Sequence, residues 1–99
     1  MKAYELLYIV DPSANDEVRA GVNARIDVAI SGQGGTVDNV EDWGRRKLAY
    51  EIDHLSEGDY ILIHFHADPT HIQELDRVLR INDAVKRHMI TVAINSDEE

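Results

Sequence analysis

The order in which two periodicities follow each other along the chain limits the folds open to it. Apolar residues recur at every second position in residues 2–10, at every fourth position from Val18 to Ile30, and again at every second position in two segments between Val37 and Ala67. Helical spacing returns after Asp68-Pro69, and residues 85–94 form a last strand-like segment. Alternation predicts half-buried strands and four-residue spacing predicts amphipathic helices. The resulting order βαββαβ, with right-handed crossovers, predicts an α+β, ferredoxin-like split βαβ fold: a four-stranded antiparallel sheet with two helices on one face.

The same periodicities assign side chains to the two faces of the predicted sheet. The face away from the helices carries Leu7, Ile9 and Leu62 and is more apolar than contact with water requires, which favours protein docking. The predicted core positions are Tyr4, Leu6, Tyr8 and Val10 of the first strand, Val18, Val22, Ile26 and Ile30 of the first helix, Ile61, Ile63, Phe65 and Ala67 of the third strand, Ile72, Leu75, Val78 and Leu79 of the second helix, and Ile90 and Val92 of the last strand.

Three local signals refine this outline. Ser13 or Asn15 in "DPSAND" is expected to cap the first helix, and Asp68-Pro69 to begin the second. The odd spacing of Val37 and Val40, together with Gly44, predicts a bulge or bend near Trp43. The segment "DHLSEG", residues 53–58, predicts the turn of a hairpin.

Length and composition indicate a single domain. Ninety-nine residues suffice for one core, and we expect a domain over residues 1–94 with an acidic, disordered tail at 95–99. Cysteine is absent, so no disulfide framework is available. The start of the chain is too short in apolar length and too charged for a signal peptide, and no run approaches a membrane span.

Sequence motifs argue against catalysis and against a cofactor or metal. Acylphosphatases share this length and element order, but their first loop is glycine-rich and carries an arginine, whereas "DPSAND" is acidic. We find no nucleotide-binding loop and no nucleophile motif. His64 and His66 share a face of the third strand, but a zinc site needs three or four ligands.

The distribution of charge points to a basic protein partner before nucleic acid. Ten Lys and Arg against nineteen Asp and Glu give a net charge of −9, which repels nucleic acid at long range. Most of the cations are nevertheless concentrated in a few segments. Arg45, Arg46 and Lys47 follow the only tryptophan, where they could contact phosphates or protect a strand edge from aggregation. The others are Lys2, Arg77, Arg80, Lys86 and Arg87.

Four segments in this order resemble the bacterial ribosomal protein S6 family. They are "YE" at 4–5, "EDWGRRKLAYEI" at 41–52, "EGDY" at 57–60 and "LRINDAVKRHM" at 79–89, and the match runs from Met1 to about Ile94. The resemblance implies a non-catalytic component of the small ribosomal subunit in the cytoplasm. It also implies binding to the central domain of small-subunit ribosomal RNA together with the basic ribosomal protein S18.

Two sets of candidate residues and two alternative functions follow. The expected RNA-binding residues are Lys2, Arg45, Arg46, Lys47, Tyr50, Arg80, Lys86 and Arg87. The expected partner-binding residues are Leu7, Ile9, Tyr60, Leu62 and Met89. Base stacking is expected to be minor, because the outward face of the first strand has no aromatic residue. The first alternative is a ferredoxin-like homodimeric domain with a small-molecule-binding or regulatory function and a dimer face on Leu7, Ile9, Leu62 and Met89. The second alternative is an enzyme that uses His64 and His66.

Overall fold

The predicted fold is confirmed. A computed structural model describes the backbone of residues 1–52 and 55–93, and the side chains of residues 1–48 and 56–93; the tail predicted at 95–99 lies outside these residues. The strands pair antiparallel in the order β2-β3-β1-β4, as in a ferredoxin-like split βαβ sheet. The elements are β1 (Lys2–Val10), α1 (Asp16–Ser31), β2 (Thr36–Ile52), β3 (Leu55–Ala67), a 3₁₀ turn (Pro69–His71), α2 (Ile72–Arg80) and β4 (Val85–Val92).

The core lies between the sheet and the two helices. Leu6 of β1 and Phe65 of β3 are both completely buried, and Phe65 stacks on Tyr4 with ring centroids 5.5 Å apart. The hydroxyl of buried Tyr8 donates a hydrogen bond to Asn23 Oδ1 of α1 at 2.5 Å, so its polar atom is satisfied on the helix side. The alternating positions of β1 and β3 therefore face the core as predicted.

The helices begin where the sequence indicated. The Asn15 side chain accepts a hydrogen bond from the Val18 backbone N–H and caps α1, which selects Asn15 over Ser13. Asp68 accepts the Thr70 N–H in the same way and starts the 3₁₀ turn that leads into α2. Both caps satisfy N–H groups that have no partner inside a helix.

Two predicted core positions are exposed, although Val92 does point to the core side of the sheet, beside Tyr4 of β1. Val18 is 42% exposed, because each four-residue step along a helix rotates by about 40° and a row of such steps drifts away from the sheet. The buried residues of α1 are instead Val22, Ile26, Ala29 and Ile30. Val92 is 54% exposed, since it ends the edge strand β4 with only Tyr4 of β1 paired beside it.

The β2–β3 hairpin extends beyond the rest of the sheet. Pairing between β1 and β3 stops at Val10 and Asp59, whereas β2 and β3 remain paired as far as Ile52 and Leu55. Residues 46–52 and 55–58 therefore form a two-stranded ribbon, here called the hairpin arm. The turn predicted at 53–58 was too long, because residues 55–58 already belong to β3.

Gly35 makes a close backbone approach that tolerates no side chain, and Gly35→Ala is expected to destabilise the protein. A Cβ atom on Gly35 would lie 2.6 Å from the His66 carbonyl oxygen and 2.8 Å from that of Ile30. Such overpacking costs about 1–3 kcal/mol of unfolding free energy, measurable by urea denaturation. Gly21→Ala is the matched control, because among the described residues outside its own helical turn no atom lies within 4 Å of its Cβ position in α1, and alanine favours helix. Equal midpoints for Gly35→Ala and the wild type would contradict the prediction.

Candidate protein and nucleic-acid interface

The sheet face away from the helices, here called the open face, is divided into rows by the strand register. Directly paired residues point to the same side of a sheet. One row runs Gly44–Tyr60–Ile9–Arg87, the next Glu41–Leu62–Leu7–Met89, and the third Asn39–His64–Glu5–Thr91. The open face thus changes from basic and aromatic, through apolar, to acidic and histidine-containing over three rows.

The middle row and its neighbours hold the predicted partner-binding residues. Met89 is 54% exposed, and Leu7, Tyr60 and Leu62 are half-buried. Ile9 lies on the predicted face but is only 8% exposed. It sits against Gly58, where an added Cβ would lie 2.3 Å from Ile9 Cγ2. The apolar surface available on this face is therefore centred on Leu7, Leu62 and Met89.

The three consecutive cations point to two sides of β2. Arg45 pairs with Asp59, and Lys47 pairs with Glu57, on the side that faces the helix layer. Arg46 pairs with Gly58 on the open face. This division follows from the alternation of side chains along a strand. One basic run therefore presents charge on both sides of the base of the hairpin arm.

Arg45 takes part in an ion-pair cluster around a buried carboxylate, that of Asp59. Asp59 is 5% exposed; it accepts hydrogen bonds from Arg45 Nε at 3.1 Å and from Arg19 Nη2 of α1. Arg45 Nη2 also donates to the Pro12 carbonyl oxygen at 3.0 Å. Burial raises the pKa of Asp59, but the hydrogen bonds from Arg45 and Arg19 outweigh it and hold that pKa below its usual value. We call Arg19, Arg45 and Asp59 the Asp59 clamp; sequence spacing gave no signal for it beyond the Asp in "EGDY".

Arg46 lies over the only tryptophan. Its Cζ is 5.3 Å from the centre of the Trp43 ring, and its Nε donates to the Trp43 carbonyl oxygen at 3.4 Å. Trp43 also stacks on Tyr60, with centroids 6.5 Å apart and planes 11° from parallel. Trp43 is 39% exposed, so this side chain belongs to the surface and not to the core.

The other predicted RNA-binding residues occupy both ends of the sheet. Lys2 pairs opposite Ala67 at the far end of β1 from the basic run, so the structure does not bring it near Arg46. Arg80 lies 3.2 Å from Asp76 on α2, and Lys86 Nζ lies 3.9 Å from Asp11. Arg87 shares the row of Tyr60, at the opposite edge of the sheet from Gly44. The side chain of Tyr50 lies outside the described residues.

Histidines mark the acidic end of the open face. His64 Nε2 lies 3.0 Å from Glu41 Oε2 and its Nδ1 lies 3.6 Å from Glu5, while His66 Nδ1 lies 2.5 Å from Asp38. Hydrogen bonds from Trp43 and then from His64 lower the pKa of Glu41. Among the residues described, no group of three or more such side chains could hold a metal ion. Neither helix of the described chain is long and apolar enough to cross a membrane.

The fold and this surface define a class: a ferredoxin-like domain with an apolar open face and a basic hairpin arm. A sequence model of the family described as ribosomal protein S6 matches residues 3–92. The small ribosomal subunit protein bS6 of Clostridium acetobutylicum is 46% identical over 93 residues, covering 91% of this chain and 95% of the relative. That of Clostridium beijerinckii is 48% identical over 91 residues with the same coverage. The chain belongs to the ribosomal protein S6 family of the small ribosomal subunit.

Solved structures agree with this assignment. The crystal structure of 30S ribosomal protein S6 from Thermotoga maritima is 33% identical and superposes with a TM-score of 0.86, covering 93% of this chain and 87% of the other. The C-terminal domain of MgtC from Mycobacterium tuberculosis has a TM-score of 0.64 at 14% identity, covering 100% and 95%, and shows the fold alone. The expected family is confirmed, and with it a location at the cytoplasmic ribosome.

Proposed function

We propose that this chain is a non-catalytic structural component of the small subunit that binds central-domain ribosomal RNA together with the basic protein S18. One observation carries the proposal. The apolar row of the open face is separated from the basic groups, which lie at the base of the hairpin arm and at the start of β4. A surface divided in this way suits one partner that covers apolar area and another that presents phosphates.

The protein partner is assigned to the open face. Leu7, Leu62 and Met89 form a continuous row across three strands, and Glu41 ends that row at β2. A net charge of −9 attracts a basic protein and accelerates encounter with it. Apolar contact would supply affinity, and the acidic groups around His64 would set orientation.

Ribosomal RNA is assigned to the basic groups. Arg46 and Lys47 are exposed at the base of the hairpin arm, and Arg87 lies across the sheet from them. Phosphate contacts position a protein without reading sequence. A few such contacts cannot hold an acidic chain on RNA alone, so binding should depend on the basic partner. The proposed RNA-binding residues remain Lys2, Arg45, Arg46, Lys47, Tyr50, Arg80, Lys86 and Arg87, with Arg45 also serving the Asp59 clamp.

Replacing Arg46 and Lys47 together with alanine is expected to weaken partner-dependent RNA binding. Two lost phosphate contacts should lower the slope of log affinity against log salt by about 1.5. The measurement is a titration of a central-domain RNA fragment, with and without S18, at two salt concentrations.

The matched control is Arg25→Ala with Arg77→Ala, which removes the same charge from the helix layer. If both double variants lose the same salt slope, the effect comes from net charge and the assignment of phosphates to β2 is wrong. If the wild type does not bind RNA even with S18, the proposed function is wrong.

A further inference from the structure

A bulge in β2 places Trp43 and Arg46 on the same face. In a regular strand, residues three positions apart point to opposite faces. The register shifts between Asp42 and Gly44, so Trp43 is an extra residue and the alternation is reset. Gly44 has a φ of +78°, which favours glycine, and its N–H donates to Asp42 Oδ1 at 2.9 Å. The contact between Trp43 and Arg46 therefore depends on this irregularity of the backbone.

Several contacts fix the orientation of the Trp43 ring. Its Nε1 donates to Glu41 Oε1 at 3.1 Å, and Glu41 is itself held by His64 at 3.0 Å. The ring also stacks on Tyr60 of β3. An exposed tryptophan with a bonded nitrogen and a stacked ring offers a fixed surface to the side chain that lies over it.

Arg46 uses only part of its hydrogen-bonding capacity on this surface. Its guanidinium lies over the ring and its Nε points to the Trp43 carbonyl oxygen, while Nη1 and Nη2 make no hydrogen bond within the described part of the chain. In Arg45, by contrast, Nε and Nη2 are both used by Asp59 and Pro12. Arg46 thus presents a pair of terminal donors in a fixed plane.

We propose that Trp43 is a positioning residue for Arg46, holding its guanidinium ready for two hydrogen bonds to a phosphate of the RNA backbone. This inference rests on the proposed RNA-binding function and adds a residue to it. An arginine fork matches phosphate oxygens in a bidentate arrangement. Holding the fork before binding reduces the conformational freedom lost in the complex. Within the described side chains no ring lies against Lys47, so we expect Lys47 to contribute charge only.

The first experiment tests the contact in the free protein. Trp43 is the only tryptophan, so its fluorescence reports on this ring alone. Arg46→Ala is expected to raise the rate of acrylamide quenching, because the guanidinium no longer covers the ring. Lys47→Ala, the neighbouring exposed cation on the other side of β2, is expected to leave quenching unchanged. Equal quenching in the wild type and Arg46→Ala would overturn the inference.

The second experiment measures RNA binding in the presence of S18 for Trp43→Leu, Arg46→Ala and the double variant. Arg46→Ala should lose about tenfold, as expected for a charged hydrogen bond. Trp43→Leu should lose about threefold, in line with an exposed cation–π contact. The double variant should bind like Arg46→Ala, because Trp43 acts only through Arg46. Trp43→Phe, which keeps an aromatic ring, should restore most of the loss.

The outcomes separate the inference from the proposed function. If the wild type binds RNA but the losses from Trp43→Leu and Arg46→Ala multiply in the double variant, Trp43 acts independently and the inference is wrong. The same holds if Trp43→Phe binds no better than Trp43→Leu. If the wild type fails to bind, the proposed function falls and the inference falls with it. If the double variant binds like Arg46→Ala and Trp43→Phe restores binding, the result supports both the inference and the proposed function.

Discussion

Asp59→Asn is expected to lower the free energy of unfolding by about 3 kcal/mol, one of the two largest effects that the structure predicts. The carboxylate is 5% exposed and accepts hydrogen bonds from two arginines that belong to α1 and β2. Arg45 is half-exposed and Arg19 partly exposed, so the loss comes from the charge-assisted hydrogen bonds to the buried carboxylate, which a neutral Asn amide accepts with only one oxygen. Urea denaturation of both proteins at neutral pH gives the difference. Glu57→Gln is the matched control, because it removes the same charge from an exposed position two residues earlier in β3.

The difference between wild type and Asp59→Asn should depend on pH in a defined direction. Arg45 and Arg19 hold the pKa of Asp59 below its usual value despite burial, so the carboxylate stabilises the folded state at every pH above its unfolded pKa of about 3.9. The contribution should shrink as pH falls below that value and vanish below the lower, folded pKa. A difference that stays constant down to pH 2 would contradict the role assigned to the Asp59 charge.

Leu62→Lys combined with Met89→Lys is expected to weaken binding of S18 by about a hundredfold. Both residues lie in the apolar row of the open face, so the lysines would place two charges in the proposed contact, opposite a basic partner. Each buried unpaired charge or repulsive pair at an interface costs at least about 1.4 kcal/mol, a factor of ten. Isothermal titration with S18 measures the effect.

The control for this variant is Val28→Lys with Ile81→Lys. These residues are 67% and 59% exposed in the helix layer, so the same two charges are added away from the open face. Light scattering of the free wild type over a range of concentration belongs to the same experiment. A mass that doubles with concentration in the wild type, but not in Leu62→Lys with Met89→Lys, would favour the homodimer alternative for this face. Equal S18 affinities for both lysine variants would place S18 elsewhere.

The fold could be predicted because its determinants are local. Alternation in β1 and β3 identified the residues of both strands that face the helices, although not the burial of Ile9 on the open face. Gly44 indicated the bulge near Trp43 that the register shows. Val18 was wrongly placed in the core because the prediction treated residues four positions apart as lying on one line. Each such step in fact rotates around the helix, and Val18 has rotated away from the sheet. Local periodicity also cannot show that an edge position such as Val92 lacks a covering neighbour.

The candidate surface could be predicted only in part. The sequence shows where the cations are, but whether a cation is available to bind RNA depends on ion-pair partners that are remote in sequence. Asp59, for example, lies 14 positions from Arg45 and 40 from Arg19. The face to which the Trp43 ring points depends on which residue of β2 is the extra one in the register, and the sequence predicted a bulge without specifying that residue. Lys2 was grouped with the other cations because the sequence does not show how far the start of β1 lies from the basic run of β2.

The strand order has a consequence for how the chain reaches its folded state. β1 lies between β3 and β4, and its pairing partners follow it by roughly fifty to ninety residues, so none of its pairing is local. Pairing residues so far apart requires the chain between them to close into a long loop before any contact stabilises it, and this slows folding. β2 and β3 are neighbours in the chain and pair through a short connection, whereas Leu6 and Tyr8 of β1 pair only with β3 and β4, which are synthesised later. Until β3 and β4 pair with β1, the apolar side chains of Leu6 and Tyr8 are exposed to solvent. We expect the chain to aggregate or to bind a chaperone most readily during that period.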